Sequence, residues 1–325
     1  MQLADGSEHP TGYWAEEVIE PYRRFARSGV EVVVATPDGE RPQPDPWGLE
    51  PYFHYPQEDE DFMLSVFRSF APDADDIRIT FQHFSELNLV AARRVFQALV
   101  DSGMAAEQAR GLVESAARTA WWDRADFVEV LAAIPAIAAR VPREQIEAIR
   151  DAVWDESAAN AKTVAAELDS IADLNSPRRL SDLSEEEIRS LDAVFVPGGH
   201  GPMVDLVDNL DMRRILGQLH RDHKTIAALC HGPAALLSAP SEGGTWLFDG
   251  YKLTAFTDEE EDQTEAGRIG LRWYLEDALK NQGAVFDDGD SAWMSHVVVD
   301  RNLITAQNPG SSEAAADAVL KRLEV

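Results

Sequence analysis

Two short apolar runs in the second half of the chain each end abruptly in a glycine-containing turn. Residues 191–196 lead into Pro-Gly-Gly-His-Gly at 197–201, and residues 225–229 lead into Cys-His-Gly-Pro at 230–233. Runs of this length without polar alternation are typical of strands that are buried on both faces. A helical pattern at 209–221 lies between them, so the order strand, helix, strand predicts parallel pairing in an α/β fold.

The same alternation covers most of the remaining chain outside one long helical segment. We predict strands at 30–35, 191–196, 225–229, 251–256, 296–299 and 302–306. We predict helices at 11–28, 209–221, 266–282 and 312–323, and four more at 85–101, 105–120, 125–139 and 143–170. The sequence therefore predicts an α/β domain formed by residues 1–55 and 165–325, with a helical insertion at 56–164.

The charge balance restricts the partners of the chain. Asp and Glu number 58 against 29 Lys and Arg, a formal net charge of -29, and a surface of that sign repels nucleic acid and anionic membranes. No run approaches the roughly 18 apolar residues of a membrane helix. The first residues do not show the basic-then-apolar pattern of an export signal, so we do not expect export. The single cysteine, Cys230, cannot form an intramolecular disulfide, so we expect a cytoplasmic protein.

Cys230 stands where a buried strand turns directly into a predicted helix that extends to Leu237. A sharp turn of this kind lifts a nucleophile clear of the sheet edge, and a helix N-terminus favours the thiolate form. The alternative is a small buried cysteine without chemistry. In the other turn, backbone N–H groups around Gly198 and Gly199 could hold a developing oxyanion, because glycine permits a close approach.

Together the two turns resemble those of the ThiJ/PfpI superfamily, which has the class I glutamine amidotransferase-like fold. The pattern favours its branch of heat-shock chaperones and glutathione-independent glyoxalase III enzymes. The resemblance covers about residues 1–50 and 165–325. It implies a flavodoxin-like, doubly wound, mostly parallel sheet; the large helical insertion that we predict lies outside the resemblance. Glutamine amidotransferases themselves carry His-x-Glu after the nucleophile, and none of the eight histidines here is followed by Glu at that spacing.

The resemblance assigns catalytic roles to two carboxylates. Residues 11–17 match the branch's Thr-Gly-hydrophobic-aromatic-x-x-Glu segment, and this alignment places its glutamate at Glu17 rather than Glu16. Residues 256–261 match a Phe-x-Asp-x-x-acid segment, whose final acid is Glu261. The catalytic residues that it implies are Cys230, His231, Glu17 and Glu261, of which the cysteine, the histidine and Glu261 form the family's triad. Gly198, Gly199 and His200 are then expected to bind the substrate or its oxyanion.

Each assignment has an alternative when the residues are taken alone. Glu17 could be one more solvated helix carboxylate, and Glu261 lies in the acidic run 258–262, which without the resemblance reads as a solvated loop. His200 could equally pack, bind substrate or transfer protons.

Two features depart from the branch. Its first strand normally precedes the Thr-Gly segment, whereas residues 1–10 are polar and predict no strand; either the start is assigned too late or the sheet lacks a strand. The helical insertion is also longer than usual. Because it leaves strand 30–35 at the sheet edge where Cys230 falls, we expect it to lie over or beside the Cys230 pocket and to narrow it. A dimer surface is the alternative.

The resemblance implies a lyase that uses neither a metal nor an organic cofactor. It would convert a reactive 2-oxoaldehyde such as methylglyoxal to a 2-hydroxy acid, D-lactate, without glutathione. One alternative is a peptidase-type hydrolase or protein deglycase that uses the same cysteine, and another is a holding chaperone. The expected partner is a small aldehyde, and a homodimer remains open.

Overall fold

In the computed structural model the two apolar runs are neighbouring parallel strands of one sheet. The structure describes residues 1–56, 86–117, 126–239, 241–290 and 292–325. The strands within these residues are β1 (Ala35–Thr36), β2 (Arg178–Arg179), β3 (Ala193–Val196), β4 (Thr225–Leu229), β5 (Ser241–Glu242), β6 (Thr245–Trp246), β7 (Lys252–Leu253), β8 (Val285–Phe286), β9 (Val297–Asp300) and β10 (Leu303–Ala306). The main sheet has the order β3-β4-β10-β9, in which only β9 runs antiparallel.

Helices precede, separate and follow these strands. The α-helices of the described residues are α1 (Ala15–Arg27), α2 (Glu86–Asp101), α3 (Ala106–Ala117), α4 (Asp126–Ala132), α5 (Pro135–Ala138), α6 (Arg143–Ser170), α7 (Ala172–Asn175), α8 (Glu185–Ser190), α9 (Pro202–Asp205), α10 (Leu210–Arg221), α11 (Asp258–Glu261), α12 (Glu265–Ile269), α13 (Leu275–Asn281) and α14 (Ser312–Leu323). Tighter 3₁₀ segments occur at Trp47–Leu49, Pro51–Phe53, Leu180–Asp182, Gly232–Ser238 and Pro309–Ser311. None of the described helices has the length and apolar character that crossing a bilayer requires.

The long periodic segments are where the sequence prediction is most accurate. The predicted helices at 143–170 and 312–323 and the predicted strand at 225–229 coincide with α6, α14 and β4. Residue 85, residues 118–120 and residue 125, at the ends of three other predicted helices, lie outside the described residues.

Two predicted strands are wrong over most of their length. The run at 30–35 forms a strand only from Ala35, and the run at 251–256 forms only β7. In the first run Val30 N donates to Phe25 O at one end, and Arg178 N donates to Val34 O at the other. A β-branched run becomes a strand only where a neighbouring strand supplies its ladder of hydrogen bonds, and sequence propensity cannot supply that partner.

Three predicted helices are interrupted or shortened. The helix predicted at 266–282 is two helices, because Gly270 ends α12 with a φ of 113°. The helix predicted at 125–139 breaks at Ile134, whose backbone is extended in front of Pro135. The helix predicted at 11–28 begins only at Ala15, since Trp14 is extended. The segment after Cys230 is 3₁₀ rather than α-helical.

Residues 1–10 form a turn. Gln2 makes an isolated antiparallel bridge with Glu8, and Leu3 is buried against Ala266 and Leu271. Among the described residues, β3 pairs on one edge only, with β4, so the main sheet ends there.

The described residues divide into two units, each with its own apolar core. One unit consists of Met1–Gly48 and Val164–Val325, and the other of Leu49–Thr163. In the second unit α2, α3, α4 and α6 bury a cluster that includes Val95, Leu99, Phe127 and Ile146. In the first unit, side chains from the sheet and its flanking helices form the larger core. All residues of the predicted active site belong to this first unit.

Helix α1 is fixed against α14 within the first unit. Phe25 meets Phe195 of β3 edge-to-face, with ring centroids 5.7 Å apart. Arg24 Nη1 donates to Asp317 Oδ1 at 2.7 Å, and its other nitrogen donates to Glu313. These contacts at the end of α1 hold the orientation of the helix, and therefore the direction in which its first turn points.

We predict that Gly232→Ala destabilises the first unit. A Cβ at this position would lie 2.2 Å from the Val196 carbonyl oxygen, a backbone atom at the end of β3. Overpacking of this kind costs about 1–3 kcal/mol or more. The matched control is Gly111→Ala in α3, where a Cβ meets nothing within 4 Å and alanine should add about 1 kcal/mol of helix stability. Urea unfolding curves measure both changes; unaltered stability of the Gly232 variant would contradict the close approach.

Candidate active site

The backbone at Cys230 is held in an unusual conformation at the end of β4. Its φ is 59°, in the left-handed region that a residue with a side chain rarely adopts. Two hydrogen bonds fix it there: Cys230 N donates to Ala306 O at 2.8 Å, and Phe256 N donates to Cys230 O at 2.9 Å. Strain of this type persists only where the surroundings overdetermine it, and it concentrates at functional sites. The predicted nucleophile turn is therefore present.

The glycine turn after β3 lies directly against this cysteine. A Cβ on Gly198 would come within 2.7 Å of Cys230 Cβ, of Glu17 Oε2 and of His231 N. Gly199 has a φ of 78°, and a Cβ there would lie 2.4 Å from Gly12 O. Both positions thus require glycine, because three backbone segments meet without room for a side chain.

Glu17 reaches the sulfur from the first turn of α1. Its Oε2 accepts a hydrogen bond from Gly198 N at 2.6 Å, and the carboxyl group interacts with the Cys230 thiol. The residue is 0% exposed. Its other oxygen, Oε1, is buried and has no hydrogen-bond partner among the described residues. The register that selects Glu17 rather than Glu16 therefore places a buried carboxyl beside the predicted nucleophile.

The remaining members of the predicted triad are in contact. Cys230 Sγ lies 3.3 Å from His231 Nδ1, and His231 Nε2 lies 2.6 Å from Glu261 Oε2. All three side chains are buried. An ionised carboxylate only accepts hydrogen bonds, so Nε2 carries the imidazole proton and Nδ1 is free to accept the S–H proton. The arrangement can deprotonate the thiol as it attacks.

His200 binds the other side of the same carboxylate. Its Nε2 lies 3.0 Å from Glu261 Oε1, and its ring lies 4.1 Å from the ring of His231, centroid to centroid. The Thr264 hydroxyl lies 3.0 Å from Glu261 Oε1 as well. The sequence left the role of His200 open; the structure places it on Glu261.

The protonation of Glu17 and that of Cys230 are coupled. Burial raises the pKa of Glu17 to about 8, although hydrogen bonds from Cys230 and Gly198 act against this shift. Burial and the nearby Glu17 charge raise the pKa of Cys230 well above its ordinary value, and a hydrogen bond from Gly199 N–H opposes them. Near pH 7 both groups therefore rest in their neutral forms.

This result overturns the expectation of a stabilised thiolate. That expectation relied on an α-helix N-terminus behind the cysteine, but the following element is a 3₁₀ segment of seven residues, and burial raises the pKa of the thiol. The neighbouring carboxyl of Glu17, which has no counterpart in a simple nucleophile turn, adds to the opposing effect.

His231 and Glu261 are shifted in a way that suits a neutral base. Burial, reinforced by the neighbouring His200, lowers the pKa of His231 to about 4. Burial alone would raise the pKa of Glu261, but the interactions with His231 and His200 outweigh it and hold that pKa below its usual range. Near neutral pH, Glu261 is charged and His231 is an uncharged imidazole.

Sequence reasoning missed the residue that positions Glu261. Glu260 is 0% exposed and forms a capping box with Thr257 at the start of α11. Its Oε1 also accepts hydrogen bonds from Trp293 N at 2.6 Å and from Asn308 Nδ2 at 2.8 Å. The Thr-x-x-Glu pattern at 257–260 is a sequence signature of a helix start, so it could have distinguished this acidic run from a solvated loop.

We predict that Glu17→Gln lowers the pKa of Cys230. The substitution removes the charge that disfavours the thiolate and retains a group that can donate a hydrogen bond to sulfur. The rate of iodoacetamide alkylation, measured against pH in the folded protein, should therefore shift to lower pH. Glu16→Gln, one residue away, is the matched control and should leave the profile in place. Coincident profiles for all three proteins would contradict the coupling.

Comparisons with known proteins identify relatives of this chain. Glutamine amidotransferase-like class 1 domain-containing protein 1 of Bos taurus is 38% identical over 128 residues, which is 39% of this chain and 57% of that protein. Protein/nucleic acid deglycase HchA of Escherichia coli is 33% identical over 143 residues, which is 42% of this chain and 49% of that protein. The alignments thus span about half the length of these curated relatives.

Solved structures support the fold. A crystal structure of glyoxalase III from Candida albicans covers 98% of this chain and 91% of its own, with a TM-score of 0.54 and 18% sequence identity; this likeness concerns the fold alone. It confirms the flavodoxin-like α/β architecture, and the HchA relatives support the predicted branch. The family model of the DJ-1/PfpI family matches residues 152–322, just over half of the chain. The chain therefore belongs to the DJ-1/PfpI family.

Proposed function

We propose that this protein is a cysteine-dependent lyase that converts a small 2-oxoaldehyde, such as methylglyoxal, to a 2-hydroxy acid without glutathione. The observation that carries the proposal is Glu17: a buried carboxyl beside the Cys230 sulfur, with its Oε1 unpartnered among the described residues. A pKa of about 8 lets this group both donate and accept a proton near neutral pH.

The first step is addition of Cys230 to the aldehyde carbon. His231 Nδ1 takes the S–H proton as the new C–S bond forms, and Glu17 gives its proton to the aldehyde oxygen. The product is a neutral hemithioacetal, flanked by an imidazolium and a carboxylate. Glu261 stabilises the imidazolium through Nε2, and backbone N–H groups near Gly199 and His231 bind the developing oxyanion.

The second step moves a hydrogen from one carbon to the next. Glu17, now ionised, removes the proton from the carbon bonded to sulfur, while His231 protonates the ketone oxygen, and an enediol results. Glu17 then returns its proton to the second carbon and His231 recovers one from the first oxygen. The aldehyde carbon is oxidised to a thioester and the ketone carbon is reduced to an alcohol, so no external oxidant or reductant takes part.

The last step is hydrolysis of the thioester by one water molecule. Glu17 takes the proton of the attacking water, and His231 returns a proton to the departing sulfur. Both groups and Cys230 recover their starting protonation states. The sum is one 2-oxoaldehyde plus one water giving one 2-hydroxy acid, which is lactate when the substrate is methylglyoxal.

The second candidate is a deglycase, favoured by the name of the Escherichia coli relative. It would use the same cysteine on an aldehyde already joined to a protein or nucleotide amine. The two functions are distinguished by the substrate that is supplied. A lyase forms lactate from free methylglyoxal with no amine present, whereas a deglycase requires the preformed adduct.

We predict that the purified protein forms D-lactate from methylglyoxal in the absence of glutathione, and that Cys230→Ala abolishes this turnover. The variant should remain folded, since the substitution leaves only a small cavity, and near-UV circular dichroism checks this. Chiral lactate analysis measures the product. Turnover that survives in the alanine variant would exclude the thiol mechanism.

We further predict that Glu17→Gln lowers kcat by about 10²–10⁴-fold with little effect on KM. The amide keeps the shape of the side chain but cannot shuttle the proton, and general acid–base groups contribute that order of acceleration. Glu16→Gln is the control and should retain activity. A Glu17→Gln variant that only raises KM would assign Glu17 to substrate binding.

A further inference from the structure

Three side chains at the active site present donor atoms to one small volume. The nitrogen or oxygen donors of His200, His231 and Glu261 all lie within 4.8 Å of one another, and the three residues are buried. We propose that they form a conditional site for a zinc-like divalent cation, and that an ion bound there removes His231 from acid–base chemistry.

The distances suit such an ion after a small movement. Glu261 oxygens now lie 2.6 Å from His231 Nε2 and 3.0 Å from His200 Nε2. Around a tetrahedral zinc with bonds of about 2.0–2.1 Å, neighbouring ligand atoms are roughly 3.3 Å apart. The Glu261 oxygens therefore need to move away from each imidazole nitrogen by less than about 1 Å, and the ion then replaces the two N–H···O hydrogen bonds at its centre.

The donor set selects the class of cation. Two imidazole nitrogens and one carboxylate oxygen, with a fourth position left for water, are ligands that zinc accepts in proteins. Magnesium prefers oxygen ligands in an octahedron and dehydrates reluctantly. Of the three side chains, that of His200 is the most exposed, at 10%, compared with 3% for His231 and 4% for Glu261. The net charge of -29 concentrates cations around the protein.

Partners outside the three donors also match a metal site. A ligating imidazole normally donates a hydrogen bond from the N–H of its second ring nitrogen to an acceptor. Here the second ring nitrogen of His231, Nδ1, lies 3.3 Å from Cys230 Sγ. Ligating carboxylates are themselves hydrogen-bonded, and the Thr264 hydroxyl lies 3.0 Å from Glu261 Oε1.

Occupancy would reverse the hydrogen bond between His231 and the cysteine. A metal on Nε2 displaces the proton from that nitrogen, so the ring keeps its single proton on Nδ1. Nδ1 then donates to sulfur instead of accepting from it. His231 can then no longer take a proton from the attacking thiol.

The first test uses the unmutated protein and zinc chloride. Isothermal titration should give one zinc per chain, with no comparable binding of magnesium. X-ray absorption at the zinc edge should show nitrogen and oxygen neighbours, imidazole scattering and no sulfur. Long-range ¹H–¹⁵N correlation spectra should place the His231 proton on Nδ1 only when zinc is bound. A sulfur ligand, or an unaltered His231 tautomer, would overturn the proposal.

Variants separate this site from simple capture of zinc by the thiol. His200→Gln should weaken zinc binding by more than the roughly 10–100-fold that loss of an outer partner costs. Cys230→Ala should keep the stoichiometry and lose no more affinity than the roughly 10–100-fold that an outer partner contributes. His223→Gln, which changes an exposed histidine, should keep both affinity and stoichiometry. Equal affinity in His200→Gln, or lost binding in Cys230→Ala, would contradict the site. None of these readouts depends on turnover, so failure of the lyase proposal would leave them intact.

Discussion

The left-handed backbone of Cys230 is the constraint on which the site depends. A positive φ costs free energy for any residue with a Cβ, and here it is maintained because the residue is hydrogen-bonded on both sides, to Ala306 through its N–H and to Phe256 through its carbonyl. The first bond extends the parallel pairing of β4 with β10, and the second ties the turn to the segment before α11. The sheet and the segment that leads into α11, the helix with Glu261, are thus joined at Cys230.

Glycine allows the other parts of the site to reach that nucleophile. Gly198 occupies a space bounded by Cys230, Glu17 and the His231 backbone, and Gly199 packs against Gly12. Side chains at these positions would separate α1 from β3 and withdraw Glu17 from the sulfur. At the C-terminal end of α1, Arg24 binds Asp317 of α14 and Phe25 packs against Phe195 of β3. These contacts also help to keep Glu17 beside the sulfur.

Two buried carboxyl groups within the site are driven in opposite directions by their surroundings. Glu17 has few donors, so burial raises its pKa to about 8 and it is protonated near pH 7. Glu261 accepts from two imidazoles, so its pKa lies below the usual range and it is charged. Environments that separate the pKa values of similar groups are how proteins assign acid and base roles. One carboxyl can then transfer protons while the other orients His231.

The sequence by itself determined the two strand-to-turn junctions and the helices with long unbroken periodicity. Through the family pattern it also indicated Cys230, His231, Glu17 and Glu261 as candidate catalytic residues. Local information was sufficient there, because a buried run that ends in glycine, or a 28-residue helix such as α6, depends little on distant partners. The tertiary structure alone decided that, among the described residues, the 30–35 run forms a strand only from Ala35. It alone also decided how Glu260 fixes the acidic segment and that His200 shares Glu261 with His231. It also decided the charge state of the cysteine. Burial and the nearby Glu17, which lies 213 positions earlier in the chain, both raise the pKa of the thiol, and neither is encoded in the local turn.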